Sequence, residues 1–150
     1  MTELNPGVSP YAQGLDLSQF TEEELFPTVD PEFKPFGAKI MVQLRRVMAK
    51  SRGGILLTND TTDTEAWNQQ VGKVIYLGDL AYKSRKDGTT WPEGPWVQLG
   101  DYVRFARYIG DRITVPMADG GKPVTILLMN DHDVLGRYTG DVRKVRTYIE

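Results

Sequence analysis

Few residues in this chain have the types and spacing that catalysis or metal binding demands. His132 is the single histidine of the sequence and stands between Asp131 and Asp133. Such a run offers imidazole and carboxylate donors. Consecutive residues point in different directions, however, and no second donor cluster follows, so the run reads as a structural turn rather than a metal site. GGKPVT (120–125) has the glycine–lysine pairing of a phosphate cradle. It lacks a glycine five positions before Gly121 and a Ser or Thr after Lys122, and it fails the pattern. No nucleophile elbow is present. Carboxylates are numerous, but nothing in their order pairs two of them for acid–base work. The absence of cysteine excludes disulfides, thiol catalysis and cysteine-held zinc. Trp91, Trp96 and the tyrosines have faces on which single-stranded bases stack. A net charge of −2 argues against nucleic acid, and aromatic packing at a hairpin is the simpler reading. No catalytic residue, metal or cofactor is assigned.

One stretch remains. In SRGGILLT (51–58), two glycines lead into three aliphatic residues, and the polar run NDTTDTEAWNQQ follows. Paired glycines carry a large ordering cost and favour a loop, and the polar run has a surface character. On the residues alone, Ile55, Leu56 and Leu57 are either a buried strand after a turn or an exposed apolar binding segment. The first is favoured.

The elements around this stretch follow a period of two. In AKIMVQLRR, Ala38, Ile40, Val42 and Leu44 share one face, and Lys39, Gln43 and Arg45 share the other, as in a half-buried strand. Further strands are expected at 71–78, 101–109, 111–115 and 124–129, with a short last one before Tyr138. Residues 80–96 read as a hairpin excursion in which Asp87-Gly88 suits a type I′ turn. Asn130 gives a cap signal. The expected fold class is all-β, a small irregular barrel. Its core should include Ile40, Val42, Val74, Val103, Phe105, Ile126 and Leu128.

Residues 1–35 differ. They hold Pro6, Pro10, Pro27, Pro31 and Pro35, and proline is unsuited to a central sheet. Within them FTEEELFP carries a capping box, Thr21 with Glu24, and a hydrophobic staple, Phe20 with Leu25. The segment is expected to be an N-terminal extended arm whose Phe20, Leu25 and Phe26 dock on this barrel or a neighbour. Residues 139–150 form a short C-terminal tail, either an edge strand or a docking tail. A length of 150 residues suits one domain with such additions. No stretch approaches the ~20 apolar residues of a membrane span, and the N-terminus lacks a signal-peptide pattern. Together with the missing cysteines, this places the expected site of action inside a cell.

In order along the chain, AKIMVQL, KSRGGILLT, VGKVIYLGD, VQLGDYVRF and VTILLMNDHDVLGRY resemble the GroES-like co-chaperonins over roughly 35–138. Each piece alone is weak; their order and spacing make the match specific. The resemblance implies a GroES-like β-barrel at 36–138 with a mobile loop at 50–68, assembled as a homo-heptamer that caps a chaperonin ring. It implies that Ile55, Leu56 and Leu57 are the partner contact, that Gly53 and Gly54 are the hinge before them, and that the hairpin is the roof of a dome. It also suggests pairing of AKIMVQL with DVLGRY across a subunit boundary. The arm, the tail and the bulky Trp91, Pro92, Pro95 and Trp96 depart from the family pattern, as in a virus-encoded or divergent member. The implied place of work is the cytoplasm, or the host cytoplasm if virus-encoded. Two other readings stand beside this one. The first is a virus-particle structural or decoration protein that reuses the barrel, acts in the virion and binds capsid or tail proteins. The second is a single-strand nucleic-acid-binding barrel.

Overall fold

A computed structural model describes residues 20–46, 70–107, 109–118 and 123–145. Its strands are β1 (Lys39–Leu44), β2 (Gly72–Leu77), β3 (Tyr102–Phe105), β4 (Asp111–Val115), β5 (Val124–Asn130) and β6 (Val134–Arg137). They form one six-stranded antiparallel sheet in the order β4-β5-β1-β2-β3-β6. The one described α-helix, α1, spans Glu22–Leu25. Side chains from β1, β2, β3, β5 and β6 meet in a single apolar cluster, so the sheet curls around one interior as a small barrel.

Ile40, Val42, Val74, Val103 and Phe105 lie in that interior, as the period-two reading expects. On β5 the inward residues are Leu127 and Met129. Ile126 is buried and Leu128 half-buried, but both pack on the outer face with Met41 and Val124. The expectation that Ile126 and Leu128 face the barrel interior is therefore corrected to Leu127 and Met129; an unbroken apolar run gives alternation nothing to distinguish, so the parity chosen for β5 was off by one.

The larger departure is on β1. Its second face was expected to meet solvent, yet Met41, Gln43 and Arg45 are all buried. The arm and tail cover them. The Gln43 side chain donates from Nε2 to Pro27 O at 2.7 Å, and Val29 packs near Met41. Phe20, Leu25 and Phe26 form a separate cluster with Val71 and Val142, against which Tyr102, Tyr138 and Val145 pack. α1 is built as its sequence signals: Thr21 Oγ1 accepts from Glu24 N at 3.1 Å, and Glu24 Oε1 accepts from Thr21 N at 3.0 Å. Its one short turn gains stability from packing rather than length.

The glycines of VGKVIYLGD have steric causes. A Cβ at Gly72 would overlap Val42 Cγ1, and one at Gly78 would collide with the carbonyl oxygens of Gly37 and Lys39. Only glycine permits these close approaches.

Candidate partner-binding surfaces

The segment that carries Gly53, Gly54, Ile55, Leu56 and Leu57 lies outside the described residues. Its two roots, Arg46 and Gln70, are described. Arg45 N donates to Val71 O at 3.0 Å, which joins the outgoing root to the returning one. Gln70 is buried; its Nε2 donates to Phe105 O at 2.9 Å, and its Oε1 accepts from Arg104 Nη2 and Arg107 Nε, each at 3.2 Å. The pairing of β1 with β2 thus extends by one bond toward both roots, and Gln70 is tied to β3.

The hairpin is anchored by aromatic packing. Tyr82 is fully buried and packs edge-on against Trp91, with ring centroids 5.3 Å apart, and against Trp96 at 5.6 Å. Tyr82 takes a left-handed backbone, φ 58°. Its N–H is held by Asp131 Oδ2 at 2.8 Å. Burial pushes the Tyr82 phenol well above its ordinary value, and the nearby Asp131 carboxylate adds to the rise. The turn itself differs from the expected type I′. Of Asp87 and Gly88, only Gly88 is left-handed (φ 74°). Gly88 N donates to Ser84 O, and Ser84 N donates to Thr89 O, each at 2.8 Å, so the connection runs through Arg85–Gly88. The Asp87 carboxylate accepts from the Thr89 hydroxyl and N–H, which holds its pKa below the usual carboxylate range. The four-residue connection could not be read from a dipeptide.

Asp131–Asp133 form a 3-10 turn with structural duties. Beyond its bond to Tyr82, Asp131 donates its own N–H to Ala38 O at 3.1 Å. Asp133 Oδ2 accepts from Asn130 N at 3.0 Å. Among the described residues no group of three or more His, Cys, Asp or Glu is arranged to hold a metal. No described helix is long and apolar enough to cross a membrane.

A second surface was not singled out from the sequence. β6 pairs with β3 along one edge, and among the described residues its other edge forms no ladder. Beside it lies an open groove of about 250 Å³, lined by Trp96, Val97, Val134, Leu135, Gly136 and Arg137. Leu135 is 64% exposed. Just before β1, Phe33 and Phe36 are 48% and 82% exposed. β1 itself is paired with β5 on one side and β2 on the other, so it has no edge left to offer a neighbour's DVLGRY. The expected pairing of those two strands therefore does not hold for Lys39–Leu44.

The described fold is a small curled antiparallel sheet with an aromatic-anchored hairpin between β2 and β3. The chain belongs to the chaperonin 10 kDa subunit family (Cpn10), whose model matches residues 32–138. The co-chaperonin GroES of Francisella tularensis subsp. holarctica (strain LVS) is 30% identical over 103 residues, covering 69% of this chain and 94% of that protein. The co-chaperonin GroES of F. tularensis subsp. novicida (strain U112) matches to the same extent, at 30% over 103 residues. The family is one of chaperone components rather than enzymes.

The shared sequence pattern has local physical reasons here. In VQLGDYVRF, Gly100 is left-handed (φ 90°) and donates to Val74 O at 2.8 Å. Asp101 Oδ2 accepts from Gln98 N at 2.9 Å and closes the turn. In DVLG, Asp133 ends the 3-10 turn and Val134 enters the barrel core.

Proposed function

We propose that this chain is a co-chaperonin that caps a chaperonin ring and assists protein folding. Ile55, Leu56 and Leu57 enter an apolar groove of the chaperonin, with Gly53-Gly54 as the hinge. The observation that carries the reading is the family match, which spans nearly the whole length of proteins named co-chaperonin GroES. Burial of three aliphatic side chains contributes roughly 1.5–3 kcal/mol each. Ordering about a dozen residues opposes this by on the order of 1 kcal/mol apiece. A single segment therefore binds weakly, and several tethered copies bind together through effective concentration.

Assembly into a homo-heptameric ring supplies those copies. The exposed Phe33 and Phe36 of one copy dock in the groove beside β6 of the next, a head-to-tail contact that closes when the rotation does. In this arrangement residues 1–35 are the arm, 36–138 the barrel, 50–68 the partner segment, 80–96 the roof and 139–150 the tail. The protein works in the cytoplasm.

The test is size. The protein alone should run as a ring, and with a chaperonin and nucleotide it should co-elute with the larger particle. Leu56→Ser should abolish co-elution while the melting temperature stays unchanged. A monomer at micromolar concentration would count against the ring. A large drop in melting temperature for Leu56→Ser would return the triplet to the core.

A further inference from the structure

The family match ends at Tyr138 and begins at Glu32, yet the chain on either side of it converges on the roots of segment 47–69. Arg46 N donates to Leu25 O, in the arm, at 2.8 Å. Arg45, 1% exposed, donates from Nη1 to Val142 O at 2.9 Å and to Val145 O at 2.6 Å, both in the tail. On the returning root, Gln70 O accepts from the Tyr138 hydroxyl at 3.3 Å. Arm and tail are tied to each other, since Arg143 Nη1 donates to Phe20 O at 3.2 Å. Phe20, Leu25, Phe26, Val71 and Val142 close over the junction as one apolar cluster.

From this convergence we propose that residues 20–27 and 138–145 form a clasp that positions segment 47–69 for its partner, and that Arg45 is the positioning residue through which the tail acts. The functional half of the proposal rests on the chaperonin-capping reading. Burying a guanidinium is costly where an apolar side chain would fill the same space. What the charge supplies is direction: its two acceptors in the tail are main-chain carbonyls, which favour one register of docking. With both roots held, the points at which the segment leaves and rejoins the sheet are set before a partner arrives. Order that already exists need not be created on association, which lowers the entropic cost of binding. By linkage, whatever frees the tail weakens partner binding, and a bound partner favours the docked tail to the same degree.

Arg45→Met keeps the aliphatic bulk and removes both hydrogen bonds to the tail. In the full-length protein, amide exchange at Arg45 and Arg46 should rise about tenfold relative to Met41 and Val42, as loss of charged hydrogen bonds implies. Affinity for a chaperonin ring with nucleotide should fall by a similar factor while the oligomeric mass stays the same. Arg45→Lys should rescue part of both effects, which a purely volumetric role would not produce. Truncation after Thr139 should give the same pair of changes by an independent route, and it serves if Arg45→Met does not fold. Unchanged root exchange in the variants overturns the clasp. Faster exchange with unchanged chaperonin affinity overturns its positioning role. If the unaltered protein binds no chaperonin, the capping reading fails, and the exchange data still decide whether the clasp exists.

Discussion

Phe26 and Phe36 are ten positions apart and should respond to the same substitution in opposite ways. Phe26 is 1% exposed, and its ring lies 5.0 Å from that of Tyr102. Truncating such a side chain to alanine removes its transfer free energy and leaves a cavity, about 3–5 kcal/mol together. With an m-value of about 2 kcal/mol per molar, the urea midpoint should fall by about 2 M. Phe36 is 82% exposed, and Phe36→Ala should change monomer stability by no more than about 0.5 kcal/mol. Its effect should appear in self-association instead. Urea unfolding followed by tryptophan fluorescence, at one fixed protein concentration, separates the two, because association itself shifts apparent stability. One feature limits the cost at Phe26. If the arm peels away as a unit, the penalty saturates at the arm's docking free energy, and Leu25→Ala added to Phe26→Ala should then add little. A loss below about 1 kcal/mol for Phe26→Ala alone would refute the reasoning, because it would mean that the arm does not dock on the barrel.

Gly72→Ala should destabilise the barrel by about 1–3 kcal/mol, since the new methyl overlaps Val42 inside a packed sheet; calorimetry checks this, and an unchanged melting temperature would contradict the close approach. The Asp141 carboxylate is held by the Arg143 side chain, which lowers its pKa from 3.8 to about 2. Its folded-state value is the lower one, so its contribution is complete above about pH 4 and is lost as pH falls toward 2. Asp141→Asn should remove that acid-induced component of tail release, measurable by amide exchange at Val142. At the other end of the scale the Tyr82 phenol is raised by burial, so its contribution is present below the ordinary tyrosine value and declines as pH rises past it. Tyr82→Phe should flatten that alkaline loss in a melting series.

The strands were legible because alternation, β-branched residues and glycine turns agree with one another. DRITV became β4 without a shift in either boundary. The helical turn of the arm was legible from its capping box, which is a local device. What was not legible depends on long-range contact. Gln43 and Arg45 look like solvent-facing residues of a half-buried strand, and nothing in their neighbourhood says that Pro27, Val142 and Val145 will cover them. A usable signal was present in the tail: Val142 and Val145 stand apart from a polar, basic stretch at a spacing suited to one face. The groove at β6 was hidden for a similar reason, since Trp96 and Leu135 meet only once the sheet has curled. The Ile55–Leu57 reading came from family resemblance rather than from the residues, which by themselves favoured a buried strand.

The bonds that hold Arg45 reach across 97 and 100 positions of sequence, and that from Arg143 to Phe20 reaches across 123. Contacts of such separation form slowly, because the intervening chain must close before they stabilise anything. They also impose an order in time on synthesis. A ribosome releases Arg45 long before Val142 and Val145 exist, so a nascent barrel has no tail to grip. The roots of segment 47–69 acquire these bonds only after residues 142–145 have left the exit tunnel. A chain cut short after Thr139 would therefore carry every described strand of the barrel and still lack the bonds that tie the tail to Arg45.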